Sequence, residues 1–430
     1  MNAATYPCIN PAENKNNMIK QPIFRNFSPK IYQYILSAMV IIMYICVCVE
    51  ADIYVPAFPQ MIKYFGIEEC EVQLVLGVNF LSLCIAGLIV GPFSDSYGRR
   101  KVILYGLLFF MLTSIILVKT NDFQALLFWR FMQGFAAAVP MVCAGAMLID
   151  TYSGEKVSKL IGMINAVITA AMAGAPVIGA YLSEEYGWRS NFIAVMLISI
   201  VAFVFFLLFI EESLSESSRR KLNIISICKD YIKVFKNLPF LCYCLLACFP
   251  FITIVVYIAN LSVIFVNHLG ISLEDYSYYQ ATTMGIFVIF SFMSVYLITK
   301  KGLDFTKNIG GIFSIIGTIS LFLVSIIDHT NIVFICISMG VIAAGGSLMS
   351  GTFGMKTLSI FPEMNGIALA ACTAIRLFLI AIFVFLSEIY FDGTIWPISI
   401  IITGYAVFTI CLYYYLIKDQ QIRLNQDGVA

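Results

Sequence analysis

Four charged residues stand where a long apolar chain should carry none. Glu50 and Asp52 close an apolar run that begins near residue 34, and Arg130 and Arg376 each lie inside another such run. A carboxylate withdrawn from water is suited to taking up and releasing a proton near neutral pH. Asp52 is the first candidate for that chemistry and Glu50 the second. They are two residues apart and point to different helix faces, so one of them is expected to face a polar cavity. An arginine inside a membrane span costs at least about 2.5–3.5 kcal/mol and needs a polar environment or a partner. Arg130 shares a helix face with Gln133, three residues on. It either faces a cavity or snorkels to the nearby interface. In the cavity, a changing distance from Asp52 would couple proton binding to conformation. Arg376 lies about eleven residues into its run, where snorkelling is hardest. It is either the counter-charge for an anionic substrate or the structural partner of Glu50 or another buried acid. Asn79, Asn165, Tyr257 and Asn260 also fall inside apolar runs, as cavity lining or as helix–helix glue.

The elements that must position these residues follow from composition. Apolar residues make up 60% of the 430 positions and charged residues 12%, with a mean hydropathy of +0.91. A soluble domain carries about 25% charged residues, so most of this surface must face lipid. The net charge of +1 argues against nucleic acid as a partner. A spanning helix needs about 20 mostly apolar residues. Spans are expected at roughly 34–57, 73–93, 102–118, 124–149, 160–182, 192–210, 240–266, 279–299, 309–327, 331–355, 365–388 and 395–417. The alternating segments of an outer-membrane barrel are absent. The result is an all-α membrane protein with twelve transmembrane helices in two six-helix halves.

Lysine and arginine orient it. Of the 26, Lys63, Lys119 and Arg189 fall outside if the N-terminus is inside, and Arg130 and Arg376 lie within spans; the other 21 are cytoplasmic. Both termini are then cytoplasmic. The expected divisions are a tail at 1–30, a first half at 31–210, a central cytoplasmic loop at 211–239, a second half at 240–417 and a tail at 418–430. Within the central loop, Leu222–Lys236 is weakly amphipathic. Ile225, Cys228, Ile232 and Phe235 can share a face, so the segment is either a helix on the membrane surface or a solvated linker. The 13 cysteines are scattered and suggest neither a disulfide framework nor a metal site. His268 and His329 are expected as solvated loop residues. No cleavable signal peptide is visible at the N-terminus.

Four motifs lie in this frame. Gly91-Pro92-Phe93-Ser94-Asp95-Ser96-Tyr97-Gly98-Arg99-Arg100-Lys101 falls in the loop after span two, where Gly91 and Gly98 would permit a tight turn and Arg99 and Arg100 anchor the loop inside. Thr299-Lys300-Lys301-Gly302-Leu303-Asp304, after span eight, is a faint echo of it. Span four holds Arg130-Phe131-Met132-Gln133-Gly134. Span five holds Gly174-Ala175-Pro176-Val177-Ile178-Gly179-Ala180, whose small residues allow close helix approach. Glu50-Ala51-Asp52-Ile53-Tyr54-Val55-Pro56-Ala57-Phe58-Pro59 closes span one.

Together these resemble the major facilitator superfamily: the signature between spans two and three, the R-x-x-Q-G of span four and the antiporter motif of span five. The close of span one, with Gly187-Trp188-Arg189 before span six, is similar to the bicyclomycin/chloramphenicol-resistance branch of drug exporters. The resemblance implies the major facilitator fold. It implies Asp52 as the branch's acid, and Asp95 as a lock against the helix start near Asn365-Gly366 when the inner gate is shut. Gly174, Pro176 and Gly179 become its antiporter motif. The expected function is proton-coupled efflux of small drug-like or metabolite molecules by a monomer in the bacterial inner membrane, powered by the proton gradient without a cofactor. Two alternatives stay open, an importer of an organic anion on the same fold and a transport-inactive sensor. No phosphate-binding Gly-x-x-x-x-Gly-Lys-[Ser/Thr] loop is present for an ATP-driven pump, and no enzymatic activity is expected.

Overall fold

The structure, a computed structural model, describes Phe24, residues 27–152, 155–214, Glu216, Arg219, and residues 222–361 and 364–427; the side chains of 155–166 and 417–427 are outside the description. The first six long helices are α1 (Pro29–Asp52), α3 (Leu74–Tyr97), α4 (Arg99–Lys119), α5 (Phe123–Thr151), α6 (Glu155–Tyr186) and α7 (Arg189–Phe209). The second six are α9 (Leu238–Ser262), α10 (Leu273–Lys301), α11 (Leu303–Ile327), α12 (Ile332–Ser359), α13 (Asn365–Ile389) and α14 (Trp396–Asp427). Eleven of these have the length and apolarity to cross a membrane among the described residues. The twelfth, α6, is 32 residues long and partly outside the description. Two short helices complete the chain, α2 (Phe58–Phe65) and α8 (Ile224–Phe235). Below, the inner ends are those on the basic, termini-bearing side.

Local chemistry sets the boundaries. Asp122, Asn237, Ser272 and Asn331 each accept the backbone N–H three residues on, capping α5, α9, α10 and α12. Span one stops at Asp52, earlier than its apolar run. Pro56 and Pro59 lack the N–H that would continue it, and the chain passes through a 3-10 turn at Val55–Ala57 into α2. Past Ser262, α9 widens into a π-helical turn over Val263–His268.

Gly91 is not a turn residue. It lies inside α3, and the motif's only break is Gly98, at φ 95°. Gly302, at φ 89°, makes the same single-residue break between α10 and α11. A left-handed backbone strains any residue with a Cβ. The two halves therefore use one joint at equivalent places, which makes the sequence echo structural.

The halves meet along two seams, α3 with α13 and α6 with α10. The linker segment at 222–236 forms the helix α8, which also presents an inward side to the bundle. Tyr231, Val234 and Phe235 turn inward while Ile225, Cys228 and Ile232 are turned outward or only half covered. The reason is a gap in α3. Pro92 offers no N–H to the Leu88 carbonyl four residues back, and the Tyr231 hydroxyl donates to that carbonyl at 3.2 Å. Burial pushes this hydroxyl up to about 12, so it stays a donor.

Candidate functional site

Arg130 is the centre of the first half. Its side chain is 0% exposed, which excludes snorkelling. Nη1 meets Glu50 Oε1 at 2.6 Å and also donates to Gln133 Oε1, the residue one turn along α5. Nη2 donates to the Tyr54 hydroxyl at 2.8 Å, and the guanidinium lies 4.2 Å from the centre of the Tyr54 ring. Asn79 Nδ2 donates to the same Glu50 oxygen at 2.7 Å, and Gln133 Nε2 passes the network on to Ser114 Oγ at 2.8 Å. Taking both charges out of water costs several kcal/mol per ion, so a pair this deep persists only with such added hydrogen bonds. One Glu50 oxygen, Oε2, has no hydrogen-bond partner among the described residues. A proton can be held there without displacing Arg130 from the other oxygen.

Gly134 explains how the helices come close enough. A Cβ there would overlap the Ser82 hydroxyl and come within 2.7 Å of the Asn79 amide. Only glycine lets α5 lie against α3 with Asn79 aimed at Glu50.

Asp52 is elsewhere. It is buried at the last turn of α1, with no described hydrogen bond or ion pair to Arg130. Its electrostatic neighbours are Glu50 and Tyr54 in its own segment and Tyr276 in α10. The two acids thus face different surroundings, as their two-residue spacing requires. The expected pairing is exchanged: Arg130 meets Glu50, not Asp52. At this seam Gly179 lets α6 press on α1, since a Cβ there would overlap the Ile53 carbonyl. Pro176 is buried beside it, whereas Gly174 has open space around it.

At the inner end, Arg99 Nη1 meets Asp95 at 2.5 Å, and its Nε meets Asp150 at 3.0 Å. The Glu212 carboxylate accepts the backbone N–H groups of Arg99 at 2.9 Å and Arg100 at 3.3 Å, on the positive N-terminus of α4. A Cβ on Gly98 would sit 2.5 Å from a Glu212 oxygen, so this glycine answers to space as well as to φ. Arg100 is buried and donates to the Leu207 carbonyl at 3.1 Å. The lock expected between Asp95 and the start of α13 is not among the described contacts. Asp95 is 41% exposed and its described ion-pair partner is Arg99, one turn away on the same side of the bundle.

The family model described as Major Facilitator Superfamily matches residues 40–384. The chain belongs to the Major Facilitator Superfamily. A bicyclomycin resistance protein homolog of Haemophilus influenzae is 25% identical over 365 residues, covering 85% of this chain and 92% of the relative. The multidrug resistance protein MdtL of Salmonella heidelberg is 22% identical, covering 87% and 93%. Among solved structures, a D-xylose-proton symporter superposes with a TM-score of 0.69 at 14% identity, covering 88% of this chain and 97% of that one. That likeness concerns the fold alone.

The remaining predicted positions in this superfamily member fall at the outer end and in the second half. Asn260 seals the outer mouth. Gln73 donates to it at 2.6 Å, it donates to Ser387 at 3.0 Å, and Ser387 donates back to Gln73 at 3.1 Å. This closed ring joins α9 and α13 to the segment that begins α3. Nearby, Asn267 and His268 both hold Glu69, at 2.8 and 2.6 Å. His268 is therefore not a free loop residue, because the π-helical turn carries it across to the first half. Tyr257 is buried with its hydroxyl 3.7 Å from the Cys336 sulfur, so it joins helices rather than lining open space. The side chain of Asn165 lies outside the described residues. Arg376 is half-buried over the Phe251 ring at 4.5 Å, and Glu50, one of its two expected partners, is already taken by Arg130.

Tyr54, Ser114, Gln73, Ser387, Asp150 and Glu212 escaped sequence reasoning. A hydroxyl or amide in a span has no distinctive spacing, and Asp150 and Glu212 read as ordinary interface acids. Only Tyr54 carried a signal, since it lies in the motif that closes span one.

Proposed function

We propose that this chain is a secondary active transporter that exports small drug-like or metabolite molecules in exchange for protons. The Glu50–Arg130 pair carries the reading. It is fully buried, it is held by neighbours on three helices, and one Glu50 oxygen is unpartnered. A proton on Glu50 Oε2 cancels the charge of the pair and weakens its hold on Arg130, so that Tyr54 and Gln133 carry more of the Arg130 contacts. The Tyr54 contact ties α5 to the segment just after α1, two residues from Asp52. Proton uptake and movement of the halves share this segment. The relatives named for bicyclomycin and multidrug resistance support outward transport of drug-like cargo. The same reading puts the chain in the bacterial inner membrane as a monomer, with both termini cytoplasmic and a proton gradient in place of a cofactor.

Substrate-dependent proton flux in proteoliposomes tests it. Glu50→Gln is expected to abolish cargo-driven proton movement while leaving cargo binding measurable. Asp52→Asn in parallel assigns the second acid. Proton flux that survives both changes would sink proton coupling through this site.

A further inference from the structure

Arg376 is the charged group that the proton-coupling reading leaves unused. It is the twelfth of the 25 residues of α13, close to the middle of its span. Phe378, Ile382, Phe385 and Ile389 form the exposed stripe of the outer half of α13, while Leu369, nearer its inner end, is exposed on the opposite face. Arg376 precedes Phe378 by two residues, about 200° around the helix, so it points away from lipid. On that inward side, α9 supplies Phe251 beneath the guanidinium at 4.5 Å. One turn back, Cys372 meets Cys244 of α9 at 3.2 Å, and the Ala374 carbonyl accepts the Cys84 thiol of α3 at 3.2 Å. Arg376 therefore stands where α13, α9 and the first half converge.

No ion pair to Arg376 occurs among the described residues, in contrast to Arg130. The described acids of the second half lie near or beyond the helix ends: Glu274 and Asp275 at the start of α10, Asp304 at the start of α11, Asp328 just past it, Glu388 at the end of α13 and Asp392 in the loop after it; Glu363 is outside the described residues. Glu50 is committed to Arg130, and Asp52 lies at the last turn of α1, near Tyr276 of α10. A guanidinium stays charged at any accessible pH. Phe251 covers one of its faces and supplies no negative charge. The group is half-buried, so part of it stays accessible to a ligand.

We infer that Arg376 is the cargo-binding cation of this transporter and that its cargo is a flat organic anion, with the carboxylate on the guanidinium and the apolar body beside Phe251. The assignment rests on the exporter reading and deepens it by naming the substrate class. A planar guanidinium forks onto a carboxylate with two parallel hydrogen bonds, which a neutral amide cannot match. The apolar neighbours Phe251, Ile375 and Leu379 suit an aromatic body.

Equilibrium binding to the purified full-length protein in lipid nanodiscs tests the inference, with naphthoate, naphthamide and naphthylmethylamine as probes. The wild type is expected to favour naphthoate. Arg376→Gln should weaken naphthoate by about 10- to 100-fold, the range for a lost charge-assisted hydrogen bond, and leave naphthamide unchanged. Arg376→Lys should restore part of the loss, and it carries the test if the glutamine variant does not fold. A wild type that binds naphthoate no better than naphthamide, or does not bind it, overturns the inference, as does an equal loss for all three probes. Because no gradient is present, the outcome is independent of proton coupling. Failed proton flux with intact naphthoate preference would reject the export mechanism alone.

Discussion

The outer and inner mouths are built from the same kinds of residue, yet they do opposite things. At the outer mouth some polar contacts cross between halves, Gln73 with Asn260 and Ser387 and Glu69 with Asn267 and His268, beside others within the first half such as Arg189 with Tyr64 and Asn121. At the inner mouth the described hydrogen bonds and ion pairs stay within one half or reach the linker. Arg99 holds Asp95 and Asp150, Glu212 holds the start of α4, Lys307 holds Asp304, and Tyr231 of α8 holds Leu88. Contacts that cross the halves must break whenever the outer mouth opens. Contacts inside a half can persist through the whole cycle. On the proposed transport reading the outer set is a gate, and the Arg99–Glu212 cluster is part of the rigid body that the gate moves. This structure has its outer mouth closed.

Four changes would break or sharpen that contrast. Glu212→Ala should have the largest effect, because it removes a carboxylate from two backbone N–H groups of α4. A loss of about 2–3 kcal/mol is expected. It should appear as a lower thermal midpoint of the detergent-solubilised protein, with no change in the distance between the outer ends of the halves. A changed distance would move this cluster into the gate.

Gln73→Leu should do the reverse. It opens the buried ring at two bonds and leaves Asn260 and Ser387 facing an apolar group. A shift of about 1–2 kcal/mol toward the open outer mouth is expected, roughly a 5- to 30-fold change in population. Distance measurements between labels at the exposed positions Tyr64 and Tyr278 would detect it. An unchanged distance distribution would mean that the ring is packing only.

The Glu69–His268 pair is partly exposed, at 33% and 39%, so Glu69→Gln should shift the same distance distribution by no more than about 1 kcal/mol. Raising ionic strength should bring the wild type to the variant's level, because salt screens exposed pairs. A difference that persists at high salt would show that the contact is not electrostatic.

The smallest stability effect is expected from Asp95→Asn, within about 1 kcal/mol, since Asp95 is exposed and Arg99 keeps Asp150. Its transport rate is the sharper readout. If transport slows while stability holds, Asp95 acts in the opposite state of the cycle, where the inner ends come together and the positive start of α13 is within reach. An unchanged rate would leave Asp95 as a surface partner of Arg99.

Much of this was legible in the residues. Apolar length and the absence of charge mark a spanning helix whatever surrounds it, and so the long helices fall where the runs predict, shifted where Pro56 and Pro59 withdraw a backbone donor. The R-x-x-Q-G spacing placed Arg130 and Gln133 on one face because helix geometry alone sets that relation. Gly98 was visible as a joint because a positive φ selects glycine locally, whereas Gly91, expected to share the turn, lies inside α3.

Pairing across helices was not legible. Glu50 and Asp52 are both acids within one turn of helix, and nothing in their spacing says which one turns toward Arg130. That depends on the rotation of α1 against α5, which Gly134 and Gly179 permit by letting α5 press on α3 and α6 on α1. Asn79 and Asn260 have the same chemistry in sequence, yet one serves the buried pair and the other the outer gate. The sequence by itself determined the membrane solvent, the helices and the small stock of groups able to carry charge, since these follow from local geometry and the cost of burying polar atoms. Tertiary structure alone decided which carboxylate holds Arg130, which polar contacts cross between halves, and that no acid among the described residues pairs with Arg376. Those outcomes are set by distances between residues far apart in the chain, on which local spacing has no bearing.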